Sequence, residues 1–169
     1  MRLVFALAAL SLSACGYKVA GKADLLPKSI LTIAIPAFTN ITTQYKLTDR
    51  LPLQLGREFI ARTRYRVVSN PAEADAVLTG SVVNVFAGAT NFDPASQRAS
   101  AVQVSCILQI TLRERLTGKV LYNQPNMEFR QRYEISTTAE AYFDESSPAF
   151  QRLSQDVART VVSAILEMF

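Results

Sequence analysis

The fold of this chain is decided by the stretch V-Q-V-S-C-I-L-Q-I-T-L-R at positions 102–113, where apolar and polar side chains alternate. Successive side chains of a β-strand point to opposite faces of the sheet, so this period of two places one set on a core and the other set on the opposite face. The apolar set is Val102, Val104, Cys106, Leu108, Ile110 and Leu112, and the polar set is Gln103, Ser105, Gln109, Thr111 and Arg113. The segment is therefore predicted to be a long strand of a sheet with one covered face.

A hairpin follows this strand. Thr117-Gly118 is a turn signal, residues 120–122 begin the return strand, and residues 124–126 interrupt it in a way that is typical of a β-bulge. Alternation then resumes, with Met127, Phe129, Tyr133 and Ile135 on one side and Glu128, Arg130, Arg132 and Glu134 on the other. The two long strands are thus predicted to pair as antiparallel neighbours.

Three more strands are predicted upstream of this hairpin. Residues 76–86 form the longest of them, residues 65–69 form a short strand, and Leu31, Ile33 and Ile35 alternate in a first strand that Pro36 ends. Residues 87–97 contain Gly, Asn, Asp, Pro and Ser, a composition that predicts a connecting loop.

Two helices complete the predicted fold. The first is placed at residues 50–63, with Asp49 as N-cap, so that Pro52 falls where no intrahelical N–H is needed. The second begins with Ser147 as N-cap and Pro148 at its first position, and runs for about 20 residues. Its apolar stripe is Phe150, Leu153, Val157, Val161, Ala164, Ile165 and Met168. The predicted class is α+β: a mixed, mainly antiparallel sheet of about four strands with two helices packed on one face.

Composition excludes most enzyme classes. The chain has no histidine and only two cysteines, which removes Ser-His-Asp and Cys-His catalysis and histidine or four-cysteine metal sites. It contains none of the Gly-rich or nucleophile-elbow motifs, and the adjacent acids Asp144 and Glu145 are predicted to face solvent. Cys106 is predicted to be a buried free thiol, because nothing near it would lower its pKa as a reactive thiol requires. We therefore expect no enzymatic activity and no cofactor or metal.

The N-terminus resembles the processing site of bacterial lipoproteins. Arg2 precedes an apolar run at residues 3–12, too short for the ~20 residues of a membrane span, and the run leads into Leu12-Ser13-Ala14-Cys15. This pattern predicts a signal peptide at residues 1–14 and a diacylglycerol and an N-acyl chain on Cys15, which would anchor the protein to a membrane. An ordinary signal peptide with an incidental cysteine is the alternative. Residues 15–28 are then a tether, and residues 29–169 form a single domain.

Arginines are expected to gather on the open face of the sheet. Arg113 and Arg115 have the polar parity of one strand, and Arg130 and Arg132 have that of its neighbour, while Arg98 and Lys119 lie near the strand ends. Arginine binds phosphate through bidentate hydrogen bonds, but a solvated face with ion pairs to Glu114, Glu128 and Glu134 would show the same pattern. The formal net charge of +4 falls to +3 without Arg2, and no exposed aromatic residues are expected, so we predict no nucleic-acid partner.

Several segments together resemble the LptE family of lipopolysaccharide-assembly lipoproteins. They are Cys15-Gly16-Tyr17, Leu26-Pro27, L-T-I-A-I-P at 31–36, Tyr45-Lys46-Leu47, Arg57-Glu58-Phe59 and A-D-A-V-L-T-G at 74–80. The resemblance implies a lipoprotein of the outer membrane that faces the periplasm, plugs and helps assemble the β-barrel protein LptD, and binds lipopolysaccharide. If the arginines meet lipid phosphates, the candidate lipopolysaccharide-binding residues are Arg98, Arg113, Arg130 and Arg132.

Two other functions remain open at this stage. One is a periplasm-facing lipoprotein that activates a cell-wall synthase, which the short tether disfavours because 13 residues at positions 16–28 reach at most about 45 Å. The other is a periplasmic solute-binding protein, which would require a pocket.

Overall fold

The computed structural model of the protein describes residues 26–42, 46–135 and 146–168. Six strands and two helices follow one another in this part of the chain. In order they are β1 (Thr32–Ala34), β2 (Thr39–Asn40), α1 (Lys46–Arg62), β3 (Arg66–Val68), β4 (Ala76–Phe92), β5 (Ala99–Glu114), β6 (Val120–Glu134) and α2 (Ser146–Glu167), with a single 3₁₀ turn at Pro71–Glu73 between β3 and β4.

The strands form one mixed sheet in the order β3-β1-β4-β5-β6, with β2 pairing with β4 beside β1. β1 is parallel to β3 and β4, and β2 is parallel to β4, whereas β4, β5 and β6 pair as antiparallel neighbours. The α+β class with two helices is confirmed, although the sheet has six strands rather than about four.

The core lies between one face of the sheet and the two helices. From Val104 to Leu112 the buried residues of β5 follow the predicted alternation, and Val104, Cys106 and Leu108 are almost fully shielded from solvent, whereas Val102 is only half-buried and its neighbour Ala101 is buried instead. The three shielded residues belong to the same apolar cluster as the α2 stripe that contains Leu153, Val157, Val161 and Ile165, all at most 1% exposed. Of the other three members of the stripe, Phe150 is also buried, whereas Ala164 is only partly buried and Met168 is 59% exposed beyond the helix end.

Helix α2 buries more than the single stripe predicted for it. Ala158, Val162 and Leu166 are also buried, because α2 packs against α1 as well as against the sheet. Arg50 of α1 fastens the two helices together, since its Nη1 and Nη2 donate to the carbonyl and hydroxyl oxygens of Ser147, each at 2.9 Å. Ser147 lies one residue inside α2 rather than at its N-cap position.

The first helix begins earlier than predicted. It starts at Lys46, so Asp49 lies in its first turn and Pro52 lies well inside it. A proline there removes a backbone hydrogen bond and costs about 3 kcal/mol. The extra turn carries Leu47 into the core at 0% exposure, and burial of a leucine side chain is worth about 1.5–3 kcal/mol, which offsets much of that cost.

Two strands also differ from their predicted extent. In β1 the side chains of Thr32, Ile33 and Ala34 are all buried, while Leu31, predicted to share a face with Ile33, is 70% exposed. Strand β4 continues to Phe92, so most of the predicted loop at 87–97 is strand. Pairing with β5 supplies the backbone hydrogen bonds of this segment and overrides its turn-like composition.

The predicted hairpin and bulge are both present. Gly118 has a positive φ of 71° in the turn between β5 and β6, as its type permits. The β5–β6 register shifts between Leu108 and Ile110, which pair with Met127 and Gln124, so β6 carries one extra residue at positions 125–126. This bulge lies inside the 124–126 segment singled out in the sequence.

Candidate functional site

The face of the sheet opposite the helices is the candidate functional surface. On this face, residues that pair across β4, β5 and β6 form rows, with one residue from each strand in a row. From the β5–β6 turn toward the β4–β5 connection, the rows are Thr79, Thr111 and Asn123; Asn84, Ile107 and Glu128; Phe86, Ser105 and Arg130; Gly88, Gln103 and Arg132; and Asn91, Ala101 and Glu134. We call this surface the open face.

The structure separates Arg113 from the other three candidate arginines. Arg113 pairs with Val120 beside the hairpin turn, whereas Arg130 pairs with Ser105. Eight residues along β5 separate these two rows, which is about 26 Å at ~3.3 Å per residue. Arg113 therefore lies apart from the cationic strip that was one of the two alternatives, because residues of the same parity can share a face without being neighbours.

The arginines at the turn end hold the local backbone. Arg113 Nη1 donates to the carbonyl oxygen of Gly118 at 2.7 Å, and Arg115 Nε donates to the carbonyl oxygen of Ala74 at 2.6 Å. Glu114 accepts hydrogen bonds from the hydroxyl groups of Ser29 and Thr117. These contacts stabilise the turn, so Arg113 is poorly placed as a phosphate-binding residue.

Arg130 forms an exposed ion pair with a residue of its own strand. Its Nε donates to Glu128 Oε1 at 2.8 Å, and both side chains remain largely in solvent. The hydrogen bond with Arg130 lowers the pKa of Glu128, and the same bond raises the pKa of Arg130. The alternative of a solvated, ion-paired face therefore describes Arg130.

Arg132 and Arg98 lie at the far end of the long strands. Arg132 lines a concavity of about 440 Å³, together with Asn91, Phe92, Asp93, Pro94, Ser100, Ala101, Glu134 and Ile135. With its carboxamide oriented to satisfy both neighbours, Asn91 Oδ1 accepts from Arg132 Nη2 at 3.1 Å. Arg98 is exposed in the β4–β5 connection, where its carbonyl oxygen accepts from the Asp93 N–H at 2.9 Å. We call this region, from Phe86 to Arg98 together with Arg132 and Glu134, the strand tip.

The loop at the strand tip is held by its own hydrogen bonds. Asp93 Oδ2 accepts from the backbone N–H of Ser96 at 2.9 Å and from its hydroxyl group at 2.5 Å. These bonds favour the carboxylate and lower the pKa of Asp93. Gln97 adopts a positive φ of 54°, which closes the loop before β5. The backbone that carries Arg98 is thus set by local contacts.

Sequence reasoning missed two exposed aromatic side chains at the strand tip. Phe86 is 65% exposed and Phe92 is 62% exposed, and the Phe86 ring lies over Gly88, whose missing side chain leaves the space. Strict alternation from Leu78 and Val82 places Phe86 on the core face, but the register shift between Val82 and Asn84 turns it to the open face, and the strand predicted at 76–86 contained no such irregularity. The argument that no exposed aromatics accompany the arginines is therefore wrong.

The thiol of Cys106 is not available as a nucleophile. Cys106 is fully buried, and burial raises the pKa of its thiol to about 12, so the thiol stays protonated. Within residues 26–42, 46–135 and 146–168, no group of three or more His, Cys, Asp or Glu side chains could hold a metal ion. The helices of this same part of the chain include none long and apolar enough to cross a membrane.

Cys15 and the tether lie largely outside the described residues. The lipidation of Cys15, the end of the signal peptide at residue 14 and the end of the tether at residue 28 therefore stay predictions.

Comparison with known proteins identifies similar sequences and folds. A family model described as LptE: Lipopolysaccharide-assembly matches residues 30–165. No curated protein matches the chain.

Solved structures with the same fold include three bacterial proteins. A lipoprotein B from Nitrosomonas europaea has a TM-score of 0.55 at 17% identity, over 90% of this chain and 96% of that chain. The rare lipoprotein B from Shewanella oneidensis has a TM-score of 0.52 at 15% identity, over 80% and 94%. Protein XCC0632 from Xanthomonas campestris has a TM-score of 0.53 at 15% identity, over 82% and 85%. At these identities the likeness shows the fold alone.

Proposed function

We propose, from the premise that the chain belongs to the LptE lipopolysaccharide-assembly family, that it is a lipoprotein of the outer membrane facing the periplasm. Acyl chains on Cys15 anchor it there. The folded domain plugs the LptD β-barrel, helps that barrel to assemble, and binds lipopolysaccharide during transport to the cell surface. Its mechanism is contact rather than catalysis.

The observation that carries this proposal is the extent of the family match. Residues 30–165 include every strand, all of α1 and nearly all of α2, so the match extends over the whole fold. An open face of neutral hydroxyl and amide side chains around Thr79, Thr111 and Asn123 supports a role as a plug, because such groups can hydrogen-bond to a polar lumen wall.

The strand tip is the part of the open face best suited to a lipid headgroup. Arg132 and Arg98 can donate to phosphate oxygens, and Glu134 can accept from sugar hydroxyl groups. Phe86 and Phe92 present apolar surface beside these charged groups. A ligand that is both anionic and amphiphilic satisfies both kinds of surface.

Lipopolysaccharide binding by arginine variants tests the headgroup assignment. We expect Arg98→Ala and Arg132→Ala each to weaken binding by about 10- to 150-fold, since a charge-assisted hydrogen bond is worth about 1.5–3 kcal/mol. Arg130→Ala should have a smaller effect, because its guanidinium already pairs with Glu128.

Arg113→Ala is the matched control for these variants. Arg113 lies on the same face but at the turn, where it bonds to Gly118, so its loss should leave binding unchanged. Binding by Arg98→Ala and Arg132→Ala at the wild-type level, or equal losses in all four variants, would contradict the assignment. Melting temperatures of the four variants check that each is folded.

Recovery of a large outer-membrane barrel with the tagged protein tests the plug. Gln109 is exposed near the centre of the open face, so Gln109→Arg should reduce recovery of the barrel by placing a bulky charge in the interface. Thr160→Arg, on the exposed face of α2, is the control and should recover the barrel normally. Equal recovery with both variants would show that the open face does not meet the barrel.

A further inference from the structure

Helix α1 has a second apolar face that does not pack on the core. Its core face carries Leu51, Leu55 and Phe59, all at 0% exposure. On the other face Leu53 is 63% exposed and Ile60 is 56% exposed, with Pro52 and Gly56 between them. Isolated exposed leucines are ordinary, but this set lines one open cleft.

The cleft has a volume of about 560 Å³ and runs between α1 and the end of the sheet. Its other wall is formed by Ile35 and Ala37 after β1 and by Val67, Val68 and Ser69 of β3 and the residue that follows it. The two walls lie close together at Gly56, where an added Cβ would make an ordinary contact of 3.5 Å with Val67 Cγ1. A channel of this kind can take an extended chain with alternate apolar side chains.

The same wall offers backbone groups for pairing. β3 is the last strand of the sheet order within the described residues, with β1 on one side. The Arg66 N–H donates to the Leu31 carbonyl oxygen and the Val68 carbonyl oxygen accepts from the Ile35 N–H, both at 2.9 Å. Backbone groups alternate in direction along a strand, so the N–H and C=O of Val67 point away from β1, along the open edge.

The chain itself leads to this edge. Leu26, the first of the described residues, is buried, and its N–H donates to the Tyr65 hydroxyl oxygen at 2.9 Å. Tyr65 directly precedes β3. Residues 15–25 can reach about 36–40 Å when extended, whereas the three residues of β3 span about 10 Å. Their covalent attachment at this point gives them a high effective concentration at the cleft.

We propose that this cleft is the docking site of the chain's own residues 16–25, which add to the β3 edge as a further strand. Tyr17 and Val19, which alternate with Lys18 and Ala20 in the sequence, are the side chains that enter the apolar channel. Val67 pairs with the added segment. Docking ties the expected anchor at Cys15 to one edge of the fold, so the anchor lies at a defined end of the domain rather than on a free tether.

Amide hydrogen exchange on the chain from residue 15, with Cys15→Ser, tests the pairing. We expect Val19→Asp to speed exchange of the Val67 amide by about tenfold, the value of one lost backbone hydrogen bond. Lys18→Asp, of the opposite parity, is the matched control and should leave that amide protected. Rapid exchange at Val67 before any substitution, or equal rates in the two variants, would overturn the proposal.

Disulfide trapping identifies the occupant independently of exchange. In the same chain we expect Val19→Cys with Leu53→Cys to oxidise within one molecule, and Lys18→Cys with Leu53→Cys to oxidise far less. A disulfide that joins two chains through Leu53→Cys alone would show that a second copy occupies the cleft and would overturn the proposal. Neither measurement uses lipopolysaccharide or a barrel, so both are independent of the proposed function.

Discussion

At the scale of single residues, the segment A-D-A-V-L-T-G at 74–80 has a structural explanation. Asp75 Oδ2 accepts from the backbone N–H groups of Leu31 and Thr32, both at 2.9 Å, and thereby holds the start of β1 against β4. Gly80 lies under the ring of Phe38, which is 3% exposed. These residues join the first strand to the central sheet, so they stabilise the fold rather than bind a ligand.

Gly80→Ala should destabilise the protein. A Cβ at this position would lie 2.2 Å from Phe38 Cε2, so the ring or the backbone must move. Overpacking of this kind costs about 1–3 kcal/mol, which urea denaturation would measure as a lower unfolding midpoint at an unchanged m-value. Gly56→Ala is the control, because its Cβ has ordinary contacts in a helix and should stabilise the protein by up to about 1 kcal/mol. Equal effects from the two substitutions would contradict the packing of Phe38.

The Cys106 thiol should make stability depend on alkaline pH. Burial raises its pKa from the ordinary value of 9.0 to about 12, so between these values the unfolded chain loses a proton that the folded chain keeps. The contribution of the Cys106 thiol to the free energy of unfolding is therefore complete below pH 9. It is lost as the pH rises toward 12, at about 1.4 kcal/mol per pH unit. Chemical denaturation at pH 8 and pH 10 measures the loss, and Cys106→Ala should show a shallower decline. An identical decline in both proteins would be the contrary result.

At the scale of elements, helix and sheet bury each other through matched periodicities. The 3.6-residue period of α2 brings Leu153, Val157 and Val161 into the same buried cluster as Val104 and Leu108, which the period of two places on one face of β5. In α1 the same requirement outweighs the local preference against an internal proline, which is why the helix starts at Lys46. Local signals at strand and helix ends therefore yield to burial where the two conflict.

Val157→Asp should unfold the protein or destabilise it by several kcal/mol. Val157 is 0% exposed between α2 and the sheet, and a carboxylate there would lack a partner of opposite charge. Thr160→Asp, on the exposed face of the same helix, is the control and should shift the melting temperature by only a few degrees. Thermal unfolding followed by circular dichroism distinguishes the two. A melting temperature of Val157→Asp near that of wild type would show that the stripe is not core.

At the scale of the whole molecule, the two faces of the sheet have different roles. The helices cover one face of the sheet and make the core. The other face carries the central polar rows and, at one end of β4, β5 and β6, the strand tip. A binding or plugging role needs such a stable domain with one face available to a partner, and it needs a means of placing that face at a membrane.

Membrane attachment should depend on the thiol of Cys15. We expect mass spectrometry of the protein from cells to show a diacylglyceryl-modified N-terminus at this residue, and Cys15→Ala to yield an unlipidated or unprocessed form. The expectation rests on Leu12-Ser13-Ala14-Cys15 after a short apolar run. Cys106→Ala is the control, because a buried thiol should have no part in anchoring. An unmodified Cys15 in the wild-type protein would remove the basis for outer-membrane placement.

Features that depend on local periodicity and turn chemistry follow from the sequence. The alternation at residues 102–113, the turn at Gly118, the bulge at residues 124–126 and the main stripe of α2 were all predictable, because each follows from the geometry of one element. The separation of Arg113 from the other candidate arginines was not predictable. The parity of a residue along a strand specifies which face it lies on, but it does not specify its neighbours or its partner. Only the tertiary structure placed Arg132 beside Asn91 at the strand tip and Arg115 Nε against the Ala74 carbonyl oxygen. Pairing register and packing between elements distant in sequence set these contacts, and no single segment contains that information.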